Sequence, residues 1–301
     1  MYARPTPTRA LTRPYVESVL PFWLSIGVLS ATQGALVAFP GTISIPWVER
    51  RSSRLWAAIP PLSVILFVFV ARAAEQTSAQ SLTYLALVAV PILATLALGW
   101  WGRGARPALA LAAPALFALA WADRGGLAGQ GAALALSALS CAALGVLLAA
   151  VTPPRWLAAG VVLMACADAA LVVSELLQHP NEVLNSAHPP EGLPKLQAEV
   201  FGSAAMGYGD LFVAGVFGGL LARGWPPPRA GRSARAQQVR AAALVVALAL
   251  AFDLLFFTVD ELPATVPVAV GLILVVLATR RKRVRAGPER AEEATVRRVP
   301  V

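Results

Sequence analysis

Two aspartates stand in stretches of the sequence where a carboxylate is costly. Asp168 lies in LMACADAALVV and Asp210 in AMGYGDLFVAG, each inside an apolar run, while Asp253 in LALAFDLLFF lies nearer one end of its run. Placing such a group at membrane depth costs at least ~2.5–3.5 kcal/mol on insertion scales, so each asks for a functional reason. No Lys or Arg occupies the interior of these runs to serve as a counter-ion. Two carboxyl groups that face each other in a medium of low dielectric share one proton at neutral pH. Such a pair can hydrolyse a peptide bond. The ionised member takes a proton from water as it attacks the carbonyl, the protonated member donates to the carbonyl oxygen, and later transfers release the amine. Either aspartate can be the base on this reading.

The elements that must position the pair follow from composition. Of 301 residues, 57% are hydrophobic and 14% charged, and the apolar residues form long blocks with short polar breaks. That pattern describes a polytopic membrane protein with an all-α helical bundle, and leaves no room for a soluble domain. The net charge of +9 comes from Arg residues at block ends and in the tail, without aromatic interleaving, so it marks membrane flanks and argues against nucleic acid. Cys141 and Cys166 lie inside apolar blocks and read as small packing residues. His179 and His188, in a Pro-broken polar connection over 178–199, make a poor metal pair, and no metal or organic cofactor is expected.

Nine spans are expected, at about 17–39, 56–73, 82–101, 107–122, 127–151, 155–177, 200–222, 241–259 and 262–279. The whole chain, 1–301, then forms one membrane domain: spans one to five up to about 154, spans six to nine over 155–279, and a basic tail over 280–301. Between spans, the side that holds the N-terminus carries Arg4, Arg9, Arg13, Arg72, Arg124 and Lys195, whereas all other Lys and Arg fall on the opposite side. The excess predicts an outside N-terminus and a cytoplasmic C-terminus. With that orientation Asp168 and Asp210 both lie about nine or ten residues from the outer ends of consecutive spans, or ~15 Å deep at the helical rise. Asp253 comes out shallower and is given a supporting role. Gly207 and Gly209 flank Tyr208 just before Asp210, where they would shape the site by letting another backbone approach. A small-residue face over Ser203, Gly207, Asp210, Ala214 and Gly218 is expected along the same helix.

These residues resemble the intramembrane aspartyl proteases of the presenilin and signal peptide peptidase type. Asp168 stands where the sixth-span aspartate belongs, and GYGD from Gly207 to Asp210 is similar to the family's Gly-x-Gly-Asp. LPATVPVAVGL, with Pro263, Ala264 and Thr265, resembles the Pro-Ala-Leu segment that opens the ninth span. The resemblance covers about 155–279 and implies an Asp168/Asp210 dyad, with Pro263, Ala264 and Thr265 presenting the substrate. It also implies membrane-embedded peptide or protein substrates, such as signal-peptide remnants with cytoplasmic N-termini. Two positions depart from the family pattern: Ala167 replaces the usual Tyr before the first aspartate, and Thr265 replaces Leu. The resemblance is to a diverged prokaryotic member, which implies a prokaryotic cytoplasmic membrane. An unwound substrate needs backbone partners, which the irregular segment 262–267 is expected to offer by strand addition.

Two other functions use the same residues. A proton-coupled transporter would employ Asp168, Asp210 and Asp253 as a relay. A catalytically inactive relative would bind membrane helices as a chaperone or scaffold. A prepilin-peptidase-like protease fits less well, because such enzymes act near the cytoplasmic surface. The sequence does not define an oligomeric state.

Overall fold

The computed structural model describes residues 21–41, 53–62, 66, 75–174, 187, 189, 192–228, 233–259 and 262–279. His179, His188, most of the expected second span and the basic tail lie outside these residues. The described chain is mostly helical, in agreement with the all-α expectation. In chain order the helices are α1 (Phe22–Ala38), α2 (Glu75–Leu96, prolonged by a wider turn over Ala97–Trp101), α3 (Ala112–Ala122), α4 (Leu127–Val151) and α5 (Pro154–Val173). After a short hairpin of β1 (Ala198–Phe201) and β2 (Ala204–Gly207) come α6 (Tyr208–Ala222), α7 (Ala234–Asp253) and α8 (Thr265–Thr279).

Among the described residues four helical stretches are long and apolar enough to cross a membrane: Gln80–Trp101, Leu127–Val151, Pro154–Val173 and Ala234–Phe257. The other apolar helices, at Phe22–Ala38, Pro107–Ala122, Tyr208–Ala222 and Thr265–Thr279, are shorter. Side chains such as Leu85, Val88, Ile92, Leu163, Leu254 and Phe257 point outward, an exposed apolar surface that suits a lipid environment.

α4 is the central helix. It is 67% buried over its most apolar window, against 28% for each of the other three crossing-length stretches. Glycine explains how it is surrounded so closely. A Cβ on Gly219 would stand 2.6 Å from the Gly145 carbonyl oxygen, and one on Gly215 would overlap the Cys141 carbonyl, so α4 and α6 pack backbone against backbone. On the other side of α6, a Cβ on Gly218 would overlap the Leu36 carbonyl of α1. Phe217, Leu220, Leu29 and Leu272 fill the core between these helices.

One end of the bundle gathers guanidinium groups on helix C-termini. Arg223 donates to the carbonyls of Ala149 and Ala150 at the end of α4, and Arg235 to that of Ala38 at the end of α1 (2.7 Å). Arg103 donates to Gln238 Oε1 (2.5 Å), while Gln238 Nε2 donates to the Pro40 carbonyl (3.0 Å). The Ala38, Ala149 and Ala150 carbonyls stand in the last turns of their helices, at the negative end of the helix dipole, so the guanidinium groups of Arg235 and Arg223 satisfy them both as donors and as cations.

The hairpin closes at the opposite end. Gly202 has a positive φ of 59°, which a turn of two residues requires, and its N–H donates to Gln130 Oε1 near the start of α4 (2.8 Å). The Ser203 N–H donates to Ser25 Oγ near the start of α1 (3.2 Å). This corrects the expectation of one continuous helix over 200–222. Ser203 and Gly207 precede α6, and the small-residue face drawn through them does not exist as a helical face. Of the expected face Gly218 does pack closely, and Gly215 and Gly219 join it in place of Ser203 and Gly207.

Candidate active site

α5 and α6 are antiparallel neighbours, and each carries one of the two aspartates. Met164, one turn before Asp168, reaches the first turn of α6, where a Cβ on Gly209 would lie 3.6 Å from Met164 Cε. Asp168 and Asp210 lie within electrostatic reach of each other. Asp210 stands in the first turn of α6, not mid-helix as its apolar setting suggests. Helix α6 is only 15 residues long, so it begins inside the bundle: at ~1.5 Å per residue, Asp210 lies ~18 Å from the Ala222 end. Asp168 lies ~21 Å from the Pro154 end of α5 by the same rise, which brings the two to one level. Both residues are half-buried.

Each carboxyl has one defined partner. Asp210 Oδ2 accepts the Gly207 N–H (3.1 Å), the side-chain half of a capping arrangement that satisfies an end-of-helix donor. Asp168 Oδ2 accepts the hydroxyl of Thr265 at 2.6 Å. Thr265 is the first residue of α8 and is 1% exposed. The segment that presents it is fixed from α1, where buried Gln33 donates through Nε2 to the Ala264 carbonyl (3.0 Å). The Pro263 carbonyl accepts the Val266 N–H (3.1 Å) as α8 starts. The carbonyls of Pro263 and Ala264 thus each accept one hydrogen bond within the chain. The segment reaches Asp168 through Thr265, by both its hydroxyl and its backbone N–H.

Tyr208 ties the start of α6 to α4. Its hydroxyl shares a hydrogen bond with Ser140 Oγ (2.7 Å), and its carbonyl takes a weak bond from buried Cys141 Sγ (3.7 Å). Cys166, by contrast, is exposed on α5. Gly207 and Gly209 are not approached by another backbone among the described residues: a Cβ on Gly207 would meet only the Asp210 carboxyl within 4 Å, at 3.2 Å from Oδ2. Asp253 is held apart from the pair by Ser30 of α1, whose Oγ donates to its Oδ2 at 2.7 Å in a buried setting.

Sequence reasoning passed over Gln33, Ser30 and Glu199. Glu199 lies in β1 opposite Met206 and is 2% exposed. Neither of its carboxyl oxygens has a hydrogen-bond partner among the described residues, and it lies within electrostatic reach of Asp210. Its place in a polar connection removed the signal that an apolar run gives to Asp168 and Asp210. Among the described residues no group of His, Cys, Asp and Glu could hold a metal ion. Comparisons with protein-family models, curated proteins and solved structures find no match to the chain.

Proposed function

We propose that the protein is an intramembrane aspartyl protease, similar in its dyad to presenilin and signal peptide peptidase, that cuts peptide bonds within membrane-embedded segments. The observation that carries this reading is that Asp168 and Asp210 lie within electrostatic reach of each other on adjacent antiparallel helices, with Thr265 of the Pro-Ala-Thr segment hydrogen-bonded to the first of them. One carboxylate then activates water while the other acid protonates the scissile carbonyl. Half-burial leaves the pair reachable from outside the bundle, as a substrate bond requires.

The arginine-bonded end holds the last turns of α1, α4 and α6, which supports the assignment of that end to the cytoplasm. Substrates then enter with cytoplasmic N-termini, as signal-peptide remnants do. A transporter relay is less well supported, because Asp253 is paired with Ser30 and does not continue the line from Asp168 to Asp210. The test is cleavage of a tagged signal-peptide-like segment by purified protein in bilayers. Wild type cleaves, and Asp168→Ala and Asp210→Ala do not. Proton-dependent solute flux that survives removal of Asp168, with no cleavage by any form, overturns the assignment.

A further inference from the structure

Glu199 is a buried acid for which the hydrolysis by Asp168 and Asp210 has no use. It lies in β1, 2% exposed, and neither of its carboxyl oxygens has a hydrogen-bond partner among the described residues. The Ser137 hydroxyl beside it donates to the Leu196 carbonyl instead (3.5 Å). β1 packs chiefly on β2, α4 and α1, and none of these carries a Lys, Arg or His. β2 and α1 hold no titratable side chain at all. The titratable groups that face Glu199 are Cys141 of α4 and Tyr208 and Asp210 at the start of α6, each of which becomes negative on ionising. The nearest cation along the chain, Lys195, stands in the segment that leads into β1. Burial pushes the Glu199 carboxyl up to about 8, so it bears a proton at neutral pH. An acid buried without a partner detracts from stability, and its place beside a reacting carboxyl asks for a function.

Asp210 is the acid that the other two share. It lies within electrostatic reach of both Asp168 and Glu199. Asp168 belongs to α5, which packs on α6 and on the turn over Arg54–Ala58, whereas Glu199 reaches Asp210 from the hairpin. When three such acids carry two charges, repulsion is least with the charges on the outer two and the proton on the one between them. The donors agree with that order: Thr265 supplies Asp168 with a hydroxyl and a backbone N–H, while Gly207 supplies Asp210 with a single N–H. The dipole of α6 draws charge to Asp210, but with roughly half a unit, against a whole unit on each neighbouring carboxylate.

We propose that Glu199 is a third acid of the site, a positioning residue that releases its proton to solvent above neutral pH and by its charge then keeps the last proton of the pair on Asp210. The inference rests on the protease reading, in which a pair stripped of its proton has no acid for the scissile carbonyl. Glu199 thereby extends the working range to higher pH. The second negative charge settles on the hairpin, and the pair stays in its singly protonated form.

The experiment is an infrared titration of the carboxylic-acid C=O band from about pH 6 to about pH 10, joined to cleavage kinetics, both on full-length protein in lipid. In wild type one component fades near pH 8, and Glu199→Gln lacks it. The component that Asp210→Asn removes persists in wild type to a pH at least ~0.5 unit above the point where it fades in Glu199→Gln. In cleavage, Glu199→Gln and Glu199→Met both move the alkaline limb of the kcat/KM profile down by that amount relative to the acid limb, about threefold in rate at a fixed pH on the limb. A residue that only packed the hairpin would scale the profile without moving its limb. An Asp210 component that fades at the same pH with and without the Glu199 carboxyl, or a component near pH 8 that survives Glu199→Gln, overturns the proposal whether or not the protein cleaves. So does an alkaline limb that neither variant moves. The infrared pattern without any cleavage by wild type supports the three-acid assignment and refutes the protease reading.

Discussion

Replacing Gly219 with Ala tests where α6 needs its glycines. The added Cβ would stand 2.6 Å from the Gly145 carbonyl oxygen, whereas non-bonded heavy atoms settle near ~3.5 Å, so α4 and α6 must part by about 1 Å. Overpacking of this kind costs about 1–3 kcal/mol. The separation also stretches the 2.7 Å bond between Ser140 and Tyr208, which holds the first turn of α6 and hence Asp210. A displacement of ~1 Å at a reacting group costs up to ~100-fold in rate. The control is Gly209→Ala, whose methyl meets Met164 Cε at an ordinary 3.6 Å. Reversible unfolding in mixed micelles should show a loss of about 1–3 kcal/mol for Gly219→Ala and less than ~0.5 kcal/mol for Gly209→Ala. A larger loss for Gly209→Ala would place the close approach beside Asp210 and refute the packing argument.

The buried contact between Ser30 and Asp253 ties α1 to α7. Ser30→Ala strands a buried carboxyl and should cost about 1–3 kcal/mol in the same unfolding assay, while cleavage at a temperature where the variant is folded stays near wild type. Glu199 is buried without a hydrogen-bond partner among the described residues, so an apolar replacement of similar length removes a desolvation cost. Glu199→Met should unfold at a denaturant concentration equal to or above that of wild type. A clear loss of stability would mean that the carboxyl has a partner essential to the hairpin.

The elements that place the dyad were largely legible because they are written in local chemistry. Pro154 opens α5 at its first turn, where a missing N–H costs nothing, close to the expected start at 155, whereas α7 starts at Ala234, ahead of the expected 241, because the Ser233 side chain caps it by accepting the Ala236 N–H (3.2 Å). Asp168 and Asp210 stood out because an apolar run makes any carboxylate conspicuous. The hairpin was hidden by the same apolarity. Ala204 to Met206 reads as an extension of the helix that follows, and only Gly202, before Ser203, signals a reversal of the chain. Glu199 and Gln33 gave no signal at all, since one sits in a polar connection and the other is a single amide in α1. Their burial is decided by helices distant in sequence. Thr265 was legible as a departure from a family pattern, but its bond to Asp168 depends on α8 starting inside the bundle. That bond returns a hydroxyl to the acid whose preceding residue, Ala167, has none.

The most direct test of the central claim is the mass of the products released from a labelled membrane segment by protein reconstituted in lipid vesicles. Wild type should yield two fragments whose masses sum to the substrate plus one water, cut within the apolar stretch, and Asp168→Asn and Asp210→Asn should each yield none. Fragments of the same mass from either variant, or an intact substrate after incubation with folded wild type in both orientations, would contradict the account.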